Sequence, residues 1–452
     1  MTASLSTSPE HAVNPSRGVE PYWMPFTPNR AFKRSPRLIT GAEGCWYRTD
    51  DGRDVLDAIG GLWCVNAGHA APRVVEAIRK QAGELDYASS FKIGHPLAFE
   101  LAERLAAWLP DPLHRVFYAN SGSEAVETAL KIAYAYQRTR GEGQRFRLVG
   151  RERAYHGMGF GGLSVGGITK NRAVFGPLLP GVDHLRQTHD LDHQAFSRGQ
   201  PDWGGHLADE LERIFQLHDP ATFAAVIVEP VSGAGGVLIP PKGYLQRVRE
   251  LCDRHGVLLI FDEVITGFGR LGGAAFAAER LGVTPDLMCL AKGITNGAVP
   301  MGAVAAADHV YDAFMRGGDA DIELPHGYTA SGHPLACAAA LASMDTYEHD
   351  GVFHHAGQVQ RAFGEALHRF DHAPGVADVR ELGLVGAIEF EPWPELPGRR
   401  AAAIAEACWH RGVLIRAIGE AVVMSPPLII TASEIDRMVD AIGEALEEVR
   451  QP

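Results

Sequence analysis

The 452 residues contain no Cys-x-x-Cys pair. Six cysteines (Cys45, Cys64, Cys252, Cys289, Cys337 and Cys408) are scattered along the chain, which gives no zinc framework and suits reduced thiols in a cytoplasm. Basic charge is also in deficit: 42 Lys and Arg stand against 55 Asp and Glu, a net −13. That balance argues against non-specific binding to nucleic acid or to an anionic membrane surface. No apolar run is long enough to span a bilayer. Met1 to Pro15 lacks the basic start and apolar centre of a signal peptide and reads as a loose tail rich in Ser, Thr and Pro. There is no P-loop and no long internal repeat. What remains is an ordinary globular composition, in a chain long enough for more than one domain.

The most informative stretch runs from Val257 to Asn296. Val257-Leu-Leu-Ile-Phe-Asp262 and Pro285-Asp-Leu-Met-Cys-Leu-Ala-Lys292 are two short apolar runs, each ending in one charge. Runs of this length bounded by Gly and Pro read as buried strands of a parallel sheet. Ligands of open α/β sheets sit at the carboxyl ends of such strands. An acid and an amine are therefore expected at one crevice. Pyridoxal phosphate (PLP) needs that pair: a lysine to form a Schiff base with its aldehyde, and an acid to keep its ring nitrogen protonated. A lone Lys is more often a surface residue and a lone Asp more often a cap. Neither alternative explains why both charges follow buried runs.

The rest of the chain fits a strand–helix alternation. Phe223-Ala-Ala-Val-Ile-Val228 is a third buried run, ending at Glu229. Arg115–Ala119 reads as a strand that runs into Asn120-Ser121-Gly122-Ser123-Glu124 and then a helix to about Thr139. Ser121 and Glu124 have capping-box spacing, and the same helix start could hold a phosphate. Phe146–Val149 is strand-like and is followed by Tyr155 and His156. Gly44 to Asp57 suggests a hairpin with Asp51-Gly52 in its turn. Pro177 to Trp203 reads as a loop with surface histidines at His184, His189 and His193. His368 and His372 have i, i+4 spacing, but a chance pair is the commoner case than a metal site. Two G-x-G-x-x-G matches, Gly157–Gly162 and Gly267–Gly272, lack the flanking pattern of a dinucleotide site and are discounted. Repeated strand–helix–strand order predicts an α/β fold with a central, mostly parallel sheet flanked by helices. A small α+β domain is expected from both chain ends, with segments 1–75 and 334–452 flanking a large domain at 76–333.

Taken together, these motifs resemble those of the fold-type I PLP enzymes, class III (ω-amino) aminotransferases. Five separated motifs carry the resemblance, in order: Asn120-Ser-Gly-Ser-Glu-Ala, Tyr155-His156-Gly157, Val228-Glu229-Pro230, Leu259–Arg270 and Ala291-Lys292-Gly293. Trp23-Met-Pro-Phe26, Gly61-Leu-Trp63-Cys and Thr295-Asn-Gly-Ala-Val-Pro-Met301 are similar to the β-alanine:pyruvate branch. The resemblance implies that Lys292 is the Schiff-base lysine and proton shuttle and that Asp262 pairs with the pyridine nitrogen. Ser121, Gly122 and Ser123 would hold the phosphate, and Tyr155 would stack on the ring. His156, Glu229 and Val264 would lie beside it. Thr329 would reach the phosphate of a neighbouring subunit, which implies a homodimer or dimer of dimers. Phe26, Leu62, Trp63 and Phe91 would line the substrate pockets, and Arg416 would receive a carboxylate. One departure is visible. Relatives usually carry Tyr-Ser-Ala-His-Pro after the Thr, where this chain has Ala330-Ser-Gly332-His-Pro. That bears on the pocket's outline and the preferred amine. Rival readings are an amine or taurine:pyruvate transaminase of the same class, a PLP aminomutase or decarboxylating transaminase and, more remotely, a nicotinamide oxidoreductase.

Overall fold

The computed structural model describes residues 19–449, so the expected N-terminal tail lies outside the described residues. A seven-stranded sheet forms its centre. In spatial order the strands are Arg115–Ala119, Gly302–Ala306, Leu287–Ala291, Leu258–Asp262, Phe223–Val228, Arg147–Arg151 and Val182–Leu185. Gly302–Ala306 runs antiparallel to both its neighbours, and the other adjacent pairs are parallel. Every residue of the strands at 223–228, 258–262, 287–291 and 302–306 is buried, because helices cover both faces. That is why these runs are continuously apolar rather than alternating.

Val182–Leu185 lies inside the segment expected to be a loop. It is a four-residue edge strand with only Leu185 fully buried. So short a piece, carrying Asp183 and His184, has no apolar run to announce it. His189 also departs from expectation. Its side chain is 8% exposed and lies 3.3 Å from Glu389, not at the surface.

Two smaller sheets flank the central one. Ile39–Glu43, Trp46–Thr49 and Asp54–Asp57 form an antiparallel set, with the expected turn at Asp51-Gly52. Val413–Leu414, from far along the chain, joins its edge parallel to Leu56 and Asp57. The other sheet has the antiparallel order Val376–Glu381, Gly386–Phe390, Ala421–Met424, Arg416–Ile418. Helices Val352–Leu367, Arg399–His410 and Ala432–Glu448 belong to this half. The Thr431–Glu434 capping box starts the last of them. Helix Pro334–His349 is buried along most of its length, and its Ala339 and Ala342 let helix Pro72–Glu84 approach through Val74. His368 and His372 do not form a pair on one helix: His368 contacts Asp371 and Glu381, while the His372 ring lies 4.3 Å from that of Phe196.

Candidate active site

Three neighbouring strands deliver their terminal charges to one crevice. Asp262 is the last residue of its strand and pairs in register with Cys289 on the next. Lys292 follows that next strand directly, and Glu229 follows Val228 on the other side. All three line one cavity of about 130 Å³, together with Ser121, Gly122, Ser123, Tyr155, His156 and Val264. The acid and the amine predicted to share a crevice do so. Gly157 and Ile265 complete the wall. They belong to quoted motifs but carry no polar side chain that could have singled them out.

The Ser121–Ser123 side of the cavity is the start of the 18-residue helix Gly122–Thr139. The Ser121 hydroxyl accepts from the Glu124 N–H at 3.2 Å, as a cap should. Glu124 reaches back one residue further than expected, accepting from the Asn120 N–H at 2.8 Å. A Cβ on Gly122 would meet Val264 Cγ1 at 2.9 Å, so the close approach of strand-end loop and helix start requires glycine. The remaining first-turn N–H groups and the helix dipole favour an anion here.

Asp262 is held from two directions. Its Oδ2 lies 2.8 Å from Nδ1 of the buried His156, and its Oδ1 accepts the Val264 N–H at 3.1 Å. His156 Nε2 is buried and finds no protein partner. Glu229 is gripped more completely. One oxygen accepts from the Tyr155 N–H and the Ser232 hydroxyl, both at 2.9 Å, and the other from the Gly233 N–H at 3.1 Å. Burial pushes its carboxyl above the usual range, a rise that His156 partly offsets and Asp262 reinforces. Burial likewise raises the Tyr155 phenol. Lys292 has a left-handed backbone, φ 51°, and is followed by Gly293, where a Cβ would stand 2.8 Å from Asn66 Nδ2.

The expected substrate-pocket residues divide into two sets. Trp63 is buried, and the Arg416 guanidinium stands 5.6 Å over its ring. The turn that carries Trp63 is tied down by the buried Asp57, which accepts from the Gly61 N–H at 2.6 Å and contacts His69 at 2.8 Å. Leu62, Phe26 and Phe91 are instead exposed, at 42%, 66% and 58%, and none of the five, Trp63 and Arg416 included, lines this cavity. Thr329 is also outside it. Its carbonyl accepts from the Tyr87 hydroxyl at 2.9 Å. Nearby Gly332 has φ +64°, and a Cβ there would meet Tyr118 at 3.2 Å, so an alanine would be strained in this backbone.

These residues fit PLP: an anion-binding helix start, an acid and an amine in one enclosure, and a buried histidine nitrogen without a partner. Comparison with known proteins agrees. The family described as aminotransferase class-III matches residues 29–446. An ω-aminotransferase of Caulobacter vibrioides is 60% identical, over 95% of this chain and 98% of its own. A β-alanine–pyruvate aminotransferase of Pseudomonas aeruginosa is 46% identical, covering 99% of this chain and 100% of its own. Among solved structures, an (S)-enantioselective ω-transaminase from Thermomicrobium roseum superposes with a TM-score of 0.89 at 35% identity, covering 95% of this chain and 96% of that one. The ω-transaminase of Pseudomonas jessenii in complex with PMP gives 0.90 at 31%, covering 95% and 96%. A match across this much of the sequence, on a cavity built for an amine-reactive cofactor, places the chain in the class III aminotransferases, enzymes of the fold-type I group that depend on PLP.

Proposed function

We propose that this enzyme moves the amino group of an ω-amino acid or simple primary amine, β-alanine-like, to pyruvate, giving an aldehyde or ketone and L-alanine. The observation that carries the reading is the placement of Lys292 and Asp262 in one cavity with the Ser121–Ser123 helix start. The similarity to named β-alanine– and ω-amino acid–pyruvate aminotransferases supports the substrates.

When bound, PLP supplies an aldehyde for amines and a ring that accepts electrons. Each residue's part follows from its position. Lys292 Nζ would serve as the general base, taking the proton from the donor carbon that bears nitrogen and, in the second half of the cycle, delivering a proton to the pyruvate carbon that becomes the α-carbon of alanine. Asp262, oriented by His156 and the Val264 N–H, would hold the ring nitrogen. Ser121, Gly122 and Ser123, at the helix start, would hold the phosphate. Tyr155, whose backbone N–H Glu229 fixes, would stack on the ring. Arg416, beside Trp63, receives the carboxylate of pyruvate by a paired hydrogen bond and leaves room for an apolar amine when it turns outward.

The exposed Trp23, Phe26, Phe91 and Phe99, at 87%, 66%, 58% and 71%, support a homodimer that covers them. In that assembly Phe26, Leu62, Phe91 and Thr329 would complete a site in the partner subunit. The parallel pairing of Val413–Leu414 with Leu56–Asp57 supports a small domain made from both chain ends. Six free cysteines and the absence of a membrane-length apolar helix among the described residues fit a cytoplasmic enzyme. The test is a panel of amine donors with pyruvate as acceptor. Stoichiometric alanine is expected with β-alanine-like donors, and no alanine from any donor would refute the assignment. An aminomutase would consume no pyruvate.

A further inference from the structure

Glu229 is held by a loop that is itself strained. Ser232 and Gly233 donate to its carboxylate. The loop closes on itself where Ser232 and Leu238 exchange backbone hydrogen bonds at 2.9 and 3.0 Å. Between them the chain makes a tight turn with Gly236 at φ 108° and Val237 at φ 57°. A β-branched residue in the left-handed region is a genuine outlier, and it persists only where the surroundings impose it. Val237 is fully buried, so something in the interior must impose it.

That something is Arg380, on the strand Val376–Glu381 of the C-terminal sheet. Its Nε donates to the carbonyls of Gly236 and Val237 at 3.1 and 3.0 Å, and its Nη2 to Gly236 at 2.6 Å. Arg153, two residues before Tyr155, grips the preceding carbonyl, Gly235, at 2.7 Å. Arg380 is only 4% exposed, and its charge is balanced by Asp378 at 2.6 Å and Glu389 at 2.7 Å. His189 completes the group, 3.3 Å from Glu389 and 3.9 Å from Asp378. His189, Asp378 and Glu389 have metal-like spacing, but the guanidinium already occupies both carboxylates and acts as their counter-ion.

We propose that Arg380 is a positioning residue for the cofactor cavity: it pins the Gly236–Val237 turn, which sets Ser232 and Gly233 against Glu229 and so fixes Tyr155. The relay couples the C-terminal sheet to the crevice of the central sheet. It rests on the PLP aminotransferase reading above.

The test uses PLP-loaded enzyme with Arg380→Met, Arg380→Lys, Ser232→Ala and the Arg380→Met/Ser232→Ala double variant. Visible circular dichroism of the bound cofactor, kcat for alanine formation and KM for pyruvate are measured, with thermal melts as a check on folding. Arg380→Met should lower kcat at least tenfold and shrink the visible band, leaving the pyruvate KM within about twofold. Arg380→Lys keeps the charge opposite Asp378 and Glu389 but cannot serve both carbonyls as well. It should show the same pattern more weakly, and it carries the test if the methionine variant does not fold. The double variant should lose much less than the product of the single losses, because both act through Glu229. An unchanged band and kcat in Arg380→Lys, or strictly multiplicative losses in the double variant, would overturn the assignment. A wild-type protein that forms no alanine would instead overturn the function on which it rests.

Discussion

Lys292 and Asp262 stand about thirty positions apart in sequence and meet only because two neighbouring strands end side by side. Replacing the amine removes the only proton carrier proposed at the reacting carbon. Lys292→Ala should therefore lower turnover by at least the 10²–10⁴-fold that a positioned base is typically worth, roughly. Single-turnover alanine formation checks this, and near-normal rates would refute the role. Arg416 makes a subtler case. It is a charged group beside an aromatic wall, so it should matter for a carboxylate and hardly for an apolar amine. Arg416→Ala is expected to raise the KM for pyruvate more than that for an arylalkylamine. Equal changes in the two constants would count against it.

Strand ends and loops carry the next level of constraint. Gly302, first in its strand, pairs with Ala119 and Ala291. A Cβ there would stand 2.3 Å from the Ser121 carbonyl oxygen, a backbone atom that cannot move without shifting the helix start. Gly302→Ala should destabilise the fold by about 1–3 kcal/mol, as overpacking does, and weaken cofactor retention with it. Urea midpoints and PLP release would measure both. The sheet Val376–Phe390 carries a pH-dependent contribution. Burial works to raise the Glu389 carboxyl, but His189 and Arg380 beside it win and hold it down from 4.5 to about 2. A depressed carboxyl stabilises the fold above its unfolded value, and that stabilisation is lost as pH falls toward the folded value. On the order of 3 kcal/mol should therefore disappear between about pH 4.5 and 2. Acid unfolding of Glu389→Gln should be flatter over that window than wild type, and parallel curves would refute the linkage.

At the scale of the whole molecule, the exposed aromatics and the position of Thr329 outside its own chain's cavity make a joint prediction. Each subunit would bring its own Lys292 and borrow its partner's Thr329. Thr329→Ala and Lys292→Ala proteins should both be impaired alone. Mixed so that subunits exchange, they should regain activity, since one site of each hybrid is then intact. Sedimentation should give at least twice the chain mass. A monomer, or hybrids no better than the parents, would remove the shared site.

Much of this was legible in the sequence by itself, for a definite reason. Buried parallel strands must be apolar on both faces, so each announces its length, and a charge at its end stands out. The runs ending at Asp262, Lys292 and Glu229, and the capped helix start at Ser121, were readable on those terms. The class III resemblance then matched residue roles to the same positions. Tertiary structure alone decided the rest. Val182–Leu185 is an edge strand too short and polar to signal itself, and it becomes one only by pairing with Leu148–Arg151. His189 looked like a loop histidine because its partners, Asp378 and Glu389, lie nearly two hundred residues away. Arg380 likewise carries no local mark of its reach to Gly236 and Val237. Local pattern records what a residue's own strand or helix demands, whereas long-range pairing depends on which distant segments the folded core brings into contact.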